Sequence, residues 1–289
     1  MNASSATAFC PGHISGYFLP SINEDPDRSG STGGGLVISE GVRVTAQKDS
    51  FPSVEIYQTD QIGVPLKISD TSPILMDLQR QMHLTAAIKT CCHLPIGSGY
   101  GMSAAALLAS VHALNSLYKI GMNGRECARI AHRVEVMHRS GLGDVSACQG
   151  GGFVVRKTPG PDGDICRMMD IRPIYAITLQ PILTASILNS PEWIERITCA
   201  FPDTIPHSLD DFMILSRRFA ENSGLISDDV RTVLAACDTH GILASMTMLG
   251  NGVFAIGSRA LKILSGFGEV FRLTLSPGGP RILQGERIL

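Results

Sequence analysis

The residues best suited to chemistry surround a glycine-rich segment at residues 95–105, with the sequence PIGSGYGMSAA. Its glycines at positions 97, 99 and 101 allow backbone conformations that other residues avoid, and they allow a ligand to approach closely. Apolar residues then recur at helical spacing from Ala104 to Tyr118. Since the first amide groups of a helix lack partners within it and attract anions, the segment predicts a phosphate site at a helix start.

Three better-known motifs do not fit this segment. A P-loop ends in Gly-Lys-Ser/Thr, and the segment contains no lysine. The dinucleotide pattern G-x-G-x-x-G requires glycine where Met102 stands, and the nucleophile elbow G-x-S-x-G around Ser103 requires glycine where Ala105 stands. For the segment taken by itself, a turn that only caps the helix remains an alternative.

Two acidic residues later in the chain could complete a phosphoryl-transfer site. Glu135 follows His132 by three residues on a second helical pattern, so the two share a face. Asp144 lies in the glycine-flanked sequence SGLGDVSA, just before a predicted short helix. Mg²⁺-assisted transfer needs oxygen ligands and a carboxylate near the attacking hydroxyl, which Ser103, Glu135 and Asp144 could supply. Taken singly, an exposed helix acid at 135 and an N-cap at 144 are equally consistent.

Arg156 ends the sequence GGFVVR, which is typical of a strand. Alternation would place Phe153 and Val155 on one face, and Val154 and Arg156 on the other. An inward-facing arginine suits a substrate carboxylate, because guanidinium binds carboxylate with two parallel hydrogen bonds. A solvent-facing arginine fits the same periodicity.

The glycine segment resembles the signature P-x-x-x-G-L-G-S-S-A-A of the GHMP kinases, which act on small molecules such as galactose, homoserine and mevalonate. Tyr100 stands in place of Leu, and Met102 in place of the first Ser. The resemblance implies that ATP and Mg²⁺ bind here, with Ser103 and Glu135 as metal ligands and Asp144 as the catalytic acid. It also implies an α+β, two-domain fold, with an N-terminal ATP-binding α/β domain, a C-terminal α+β domain and the active site between them. The implied ATP-binding residues are Pro95, Gly97, Ser98, Gly99, Tyr100, Gly101, Met102, Ser103 and Ala104.

Further motifs narrow the resemblance. AFCPGHISG at residues 8–16 resembles the first family motif, a strand that ends in Pro-Gly; GSTGGG follows at 30–35, and MTMLGNGVF at 246–254 stands where a third, glycine-rich motif belongs. Together they resemble the archaeal-type pantoate kinases, which implies that pantoate is phosphorylated to 4-phosphopantoate, a step toward coenzyme A. Within that resemblance, we expect Arg156 and His132 to serve the pantoate carboxylate, and Ser31 and His13 to serve its hydroxyls.

Three other functions stay open from the sequence. The same fold could act on another small alcohol, such as homoserine, mevalonate or shikimate. A non-catalytic nucleotide-binding protein is favoured slightly by Met102, by His13 where many relatives carry Lys or Arg, and by the shortened third motif. A serine hydrolase using Ser103 is disfavoured because the elbow glycine is missing.

The elements that position these residues can be outlined from patterning. The sequence predicts strands at 37–47 and 53–58, a long polar loop at 21–35, and helices at 104–118 and 127–137, the latter capped by Asn123. The turn-rich residues 157–164 are taken as a domain boundary, which gives domains 1–158 and 159–289. Beyond them we expect strands near 175–179, 253–256 and 270–275, and helices near 208–222, 228–239 and 258–265.

Composition excludes several classes of protein. Of 289 residues, 17% are charged and the formal net charge is −2, so there is no basic footprint for nucleic acid. The sequence has no apolar stretch of the ~20 residues needed to span a bilayer and no start of signal-peptide type. Its eight cysteines are scattered, which favours reduced thiols over disulfides or zinc. We therefore expect a cytoplasmic protein without nucleic-acid or membrane partners; the oligomeric state is open, with a homodimer as one candidate.

Overall fold

The fold contains two β-sheets whose strands pair mostly antiparallel. The structure is a computed structural model that describes residues 4–60, 63–179, 187 and 190–284. Within those residues one sheet has eight strands and the other has four, and helices pack on both. The mixed content agrees with the predicted α+β class.

The larger sheet begins with a long hairpin. Its strands are β1 (Ser5–Ser21), β2 (Gly30–Lys48), β3 (Ser53–Thr59), β4 (Pro65–Ser69), β5 (Ala86–Cys92), β6 (Phe153–Arg156), β7 (Ile165–Met168) and β12 (Arg281–Leu283). Strands β1 and β2 pair antiparallel along nearly their whole length, with two register shifts in β1, and among the described strands only β3 and β5 pair parallel. The strand order is β12-β1-β2-β5-β3-β4, and β6 pairs with both β2 and β7.

Four helices accompany this sheet: α1 (Pro73–Gln81), α2 (Met102–Tyr118), α3 (Gly124–Met137) and α4 (Asp144–Cys148). Helix α2 is apolar on nearly every side, because it lies between strands β1 and β2 and helix α3; twelve of its 17 residues are buried. Helix α3 is amphipathic and begins with a capping box, in which Asn123 and Glu126 each accept a hydrogen bond from the other's backbone amide. Helix α2 therefore packs directly on the sheet, and α3 packs on α2.

The smaller sheet is antiparallel throughout and packs against three of the four helices in this part of the chain. The elements are β8 (Ile174–Thr178), α5 (Pro191–Ala200), α6 (Leu209–Ser223), α7 (Asp228–Thr239), β9 (Ala244–Thr247), β10 (Gly252–Ile256), α8 (Ala260–Leu264) and β11 (Phe271–Leu273), with the strand order β11-β8-β10-β9. Helix α6 packs both on this sheet and on β1 of the larger one, where the Phe212 ring contacts Gly16 so closely that a Cβ there would lie 2.5 Å from it. A single hydrophobic core therefore runs through both sheets.

The predicted helices and strands lie where patterning placed them, but the predicted loop at 21–35 is wrong. Strand β1 continues to Ser21 and β2 begins at Gly30, which leaves residues 22–29 as the connection. The glycines of β2 make room for side chains of β1. At Gly35, for example, a Cβ would lie 2.0 Å from Nε2 of His13.

The domain boundary predicted at residues 158/159 falls inside a hairpin of the larger sheet. Residues 157–164 form the turn between β6 and β7, and the backbone amide of Lys157 donates to the Asp164 carbonyl at 2.8 Å. Strand β12, near the end of the chain, also returns to this sheet and pairs with β1. The turn-rich residues 157–164 are therefore a hairpin turn, because such a composition occurs in hairpins as readily as in linkers. Apart from β12, the strands of the larger sheet precede those of the smaller sheet in the sequence.

Replacing Asn123 with alanine removes the side-chain half of the α3 capping box. We expect Asn123→Ala to lower the free energy of unfolding by about 1 kcal/mol, measured by urea denaturation. Arg125→Ala, an exposed change in the same helical turn, is the control and should leave stability nearly unchanged. Equal stability of both variants would show that the cap does not stabilise α3.

Candidate active site

A cleft opens where helix α2 begins. Its walls come from the glycine segment, from β1 and β2, from the turn before α4, and from the β9–β10 turn of the smaller sheet. The lining residues are Ser15, Phe18, Ser31, Gly97, Gly99, Tyr100, Gly101, Met102, Ser103, Ser140, Leu142, Gly143, Asp144, Arg156, Met248 and Leu249. Residues 95–105, Asp144 and Arg156, which the sequence singled out separately, thus meet at one place.

The glycine segment has the backbone of an anion-binding loop. Gly97, Gly99 and Gly101 have φ angles of 76°, 78° and 66°, each separated by one residue with negative φ. Such alternation turns backbone amides toward one concave side. Gly101 is also the N-cap of α2 and leaves the helix start without a side-chain cap. The amide groups there are therefore available to a ligand.

The smaller sheet holds this segment in place. The Tyr100 side chain is buried, and its hydroxyl lies 3.1 Å from Oγ1 of Thr178 on β8. Thr247 donates its hydroxyl to the Ser98 carbonyl at 3.3 Å. A Cβ at Gly250 would lie 2.2 Å from that same carbonyl, so glycine is required there. The close contact with Ser98 explains why glycine stands at position 250, within the predicted third motif.

Six of the nine predicted ATP-binding residues line the cleft: Gly97, Gly99, Tyr100, Gly101, Met102 and Ser103. The other three do not line it. Ser98 is buried beneath the segment, and Ala104 is buried within α2. Pro95 lines a neighbouring cleft.

The side chains of the two acids converge on one point. Glu135 on α3 is wholly buried rather than an exposed helix acid, and its Oε1 accepts a hydrogen bond from the Val145 amide at 3.3 Å. Asp144 begins α4, where Gly143 is the N-cap, and its side chain is a quarter exposed. A Cβ at Gly141 would lie 2.6 Å from Glu135 Oε1 and 2.9 Å from Asp144 Oδ2, so the carboxylates are neighbours.

Their surroundings shift the pKa values of the two acids in opposite directions. Burial raises the pKa of Glu135, although His132 opposes the shift. Burial also acts to raise the pKa of Asp144, but the hydrogen bond from His13 and the positive charge of Arg156 outweigh it and lower that pKa. Asp144 is therefore the ionised acid at the cleft, in position to receive a proton.

Arg156 is a buried cation that forms no ion pair with a carboxylate of the described residues. Its side chain is 2% exposed, which excludes the solvent-facing alternative. Of the residues that the structure describes, none places a carboxylate within 4.0 Å of it. Its neighbours are the carbonyl of Ser31 at 3.4 Å, Oγ of Ser31 at 3.5 Å and Nε2 of His13 at 3.4 Å. A buried charge without a partner is costly, so this guanidinium is suited to bind an anion in the cleft.

The two histidines predicted to contact substrate lie behind the cleft instead. His13 and His132 are both wholly buried, and neither lines it. Nδ1 of His13 lies 2.6 Å from Asp144 Oδ1. Nε2 of His132 donates to the Ser29 carbonyl at 3.0 Å, and its Nδ1 lies 3.5 Å from Glu135 Oε2. His13 therefore forms a hydrogen bond with Asp144, whereas His132 lies beside Glu135, its i+3 neighbour on α3.

The sequence prediction missed the apolar wall of the cleft, formed by Phe18, Leu142, Met248 and Leu249. Leu142 directly precedes the Gly143–Asp144 pair, and Met248 and Leu249 precede Gly250, so proximity to a motif was an available signal. Phe18 gave no such signal. The resemblance ended the first strand at Pro11–Gly12, whereas β1 passes through that point with a register shift and carries Phe18 to the cleft.

The described residues contain no cluster of side chains that could hold a metal ion by itself. Among the described residues, no three His, Cys, Asp or Glu side chains are arranged to hold an ion. All eight cysteines are free thiols. Within the same described part of the chain, every helix is too short or too polar to cross a bilayer.

Comparison with known proteins identifies the family of this chain. Residues 72–152 match the family model described as the GHMP kinases N terminal domain. A protein of Methanospirillum hungatei named pantoate kinase is 65% identical over 99% of both chains, and one of Methanocaldococcus jannaschii with the same name is 30% identical over 89% of this chain and 96% of the relative. A solved structure described as a phosphotransferase related to the CoA biosynthesis pathway superposes with a TM-score of 0.80, at 24% identity over 97% of this chain and 99% of the other, which confirms the fold. The chain therefore belongs to the pantoate kinase family, within the GHMP kinases.

Proposed function

We propose that this protein transfers the γ-phosphoryl group of ATP to the primary hydroxyl of pantoate, giving ADP and 4-phosphopantoate. The observation that carries the proposal is the buried, acid-free guanidinium of Arg156 in the same cleft as Asp144 and the glycine segment. Arg156 can bind a substrate carboxylate, Asp144 can accept a proton, and the glycine segment can bind the phosphates of ATP. The relatives named pantoate kinase support the same reaction.

The cleft matches the chemical groups of pantoate. Arg156 and the hydroxyl of Ser31 lie together and can bind the carboxylate or an adjacent hydroxyl. The gem-dimethyl carbon of pantoate requires an apolar surface, which the wall of Phe18, Leu142, Met248 and Leu249 provides. Asp144 then faces the primary hydroxyl at the other end of the molecule.

ATP would place its phosphates on residues 97–103 and its nucleoside in the neighbouring cleft. That second cleft is lined by Pro95 at the other end of the glycine segment, together with Gln58, Thr59, His93 and Phe271. Because Pro95 of this cleft precedes Gly97 of the first cleft by two residues, a nucleotide can span them. The same cleft contains residues from 51–94, between the first strands and the glycine segment.

Ser103 and Glu135 fit a Mg²⁺ ion carried in with ATP. Glu135 Oε2 is a buried carboxylate oxygen without a hydrogen-bond partner among the described residues, and Ser103 places its hydroxyl at the start of α2 in the cleft. Phosphate oxygens and water would complete the octahedral shell that Mg²⁺ prefers. When bound, the ion neutralises charge on the β- and γ-phosphates.

Asp144 acts on the attacking hydroxyl. Its lowered pKa keeps it ionised, so it orients the hydroxyl and accepts the proton as the new P–O bond forms. The amides at the start of α2 stabilise the negative charge of the phosphoryl group during the transfer. Positioning and electrostatic stabilisation account for most of the rate in such reactions.

The identity of the acceptor is tested by ADP release in the presence of pantoate, homoserine, mevalonate or shikimate. We expect pantoate to give the highest kcat/KM, by at least about tenfold, because Arg156 and the apolar wall are both used. A higher kcat/KM with another acceptor would assign the cleft to that alcohol. ATP binding without turnover on any of the four would identify a non-catalytic nucleotide-binding protein.

Replacing the proton acceptor should affect turnover selectively. We expect Asp144→Asn to lower kcat by at least about 100-fold, with little change in ATP affinity, because only the acid–base step is lost. Steady-state kinetics and nucleotide titration measure the two quantities. Asp164→Asn, on the exposed β6–β7 turn, is the control. An unchanged kcat would remove Asp144 from the mechanism.

Replacing the hydroxyl ligand should affect the metal requirement. We expect Ser103→Ala to raise the Mg²⁺ concentration for half-maximal activity severalfold, because one oxygen ligand is removed from the shell. Ser110→Ala changes another serine of α2 whose buried hydroxyl lies outside the cleft, and it serves as the matched control. If Mg²⁺ titrations of Ser103→Ala and the unmodified protein coincide, Ser103 is not a ligand.

A further inference from the structure

The imidazole ring of His13 contacts both Asp144, the proposed proton acceptor, and Arg156, the proposed carboxylate-binding residue. His13 lies on β1 and is wholly buried. Its Nδ1 lies 2.6 Å from Asp144 Oδ1, and its Nε2 lies 3.4 Å from Nη1 of Arg156. The ring therefore lies between the carboxylate at the reacting hydroxyl and the cation suited to the substrate carboxylate.

The chemistry of the two neighbours fixes the protonation state of this ring. A guanidinium can only donate hydrogen bonds, so Nε2 of His13 must be the acceptor toward Arg156. The remaining nitrogen, Nδ1, then carries the ring's one proton and donates it to Asp144. Burial lowers the pKa of His13 despite the opposing effect of its hydrogen bond to Asp144, which agrees with a neutral ring.

The backbone around His13 allows the ring little freedom. Its amide donates to the Tyr100 carbonyl at 2.9 Å, which ties β1 to the glycine segment. Gly35 on β2 leaves room for Nε2, since a Cβ there would lie 2.0 Å from that atom. Gly101 leaves room on the other side, where a Cβ would lie 3.3 Å from Cβ of His13. The ring is thus held by close packing as well as by its hydrogen bonds.

We propose that His13 is a positioning residue whose neutral imidazole links Arg156 to Asp144, so that the carboxylate-binding cation and the proton acceptor are held at a fixed separation. The inference rests on the proposed function of the cleft and adds a role for a residue that does not touch the substrate. A cation at this position would instead repel Arg156. The neutral ring donates one hydrogen bond to Asp144 and accepts one from Arg156.

Two conservative variants separate the two contacts of the ring. Asn at position 13 keeps an amide donor near Nδ1 for Asp144 but is too short to reach Arg156. Gln reaches the Nε2 position, where its carbonyl can accept from Arg156, and leaves Asp144 without its donor. We expect His13→Asn to raise KM for pantoate about threefold or more with kcat nearly kept, and His13→Gln to lower kcat about tenfold or more with KM nearly kept.

Controls separate this role from a general loss of structure. His138 pairs with Asp77 at the end of α3, outside both clefts, so His138→Asn and His138→Gln should leave kcat and KM unchanged. Equal losses of kcat and KM in both His13 variants, together with weaker ATP binding, would overturn the link and leave a packing role. Unchanged kinetics in both His13 variants would overturn it as well.

The charge state of the ring can be measured without any turnover. Nitrogen-15 NMR of histidine-labelled protein at pH 7 should show a neutral His13 ring that is protonated at Nδ1; a doubly protonated ring would overturn the proposal. Failure of the proposed function is a separate result, because it appears as an unmodified protein that releases no ADP with pantoate. A split between the His13 variants can be observed only when that activity is present.

Discussion

The arrangement of the cleft depends on a positive charge that the protein buries and does not neutralise. Arg156 is almost fully enclosed, and no carboxylate of the described residues lies within ion-pair distance of it. Moving a guanidinium from water into a protein interior costs on the order of several kcal/mol unless an anion compensates its charge. In the proposed function, the carboxylate of the substrate compensates this charge, and the nearby carboxylate of Asp144 accepts a proton.

Both sheets are needed to form this arrangement. The larger sheet supplies His13, Ser31 and Arg156 from adjacent strands and supports the helices that carry Ser103 and Glu135. The smaller sheet presses its β9–β10 turn against the glycine segment, where Gly250 allows the contact with Ser98. The phosphate site is therefore positioned by both halves of the chain, and a change in either half can displace it.

Local patterns predicted much of this structure, for physical reasons. Helices α2 and α3 were predictable because their apolar spacing and the Asn123 cap are encoded within a few residues, and Ser103, Asp144 and Arg156 were found because they adjoin glycine-rich motifs. The contacts of His13 with Asp144 and of His132 with Ser29 were not predictable, because these partners lie 131 and 103 residues away in the sequence. Long-range pairing likewise decided that residues 30–35 form a strand and that residues 157–164 form a hairpin turn.

The most direct test of the role of Arg156 compares the binding of pantoate with that of its neutral amide, in the unmodified protein and in Arg156→Met. Calorimetric titration in the presence of a non-hydrolysable ATP analogue measures the four dissociation constants. We expect the unmodified protein to prefer the acid by at least about tenfold and this preference to disappear in Arg156→Met, because the carboxylate is recognised by that buried charge. The same preference in both proteins would show that the carboxylate binds elsewhere and would contradict the role of Arg156 in the cleft.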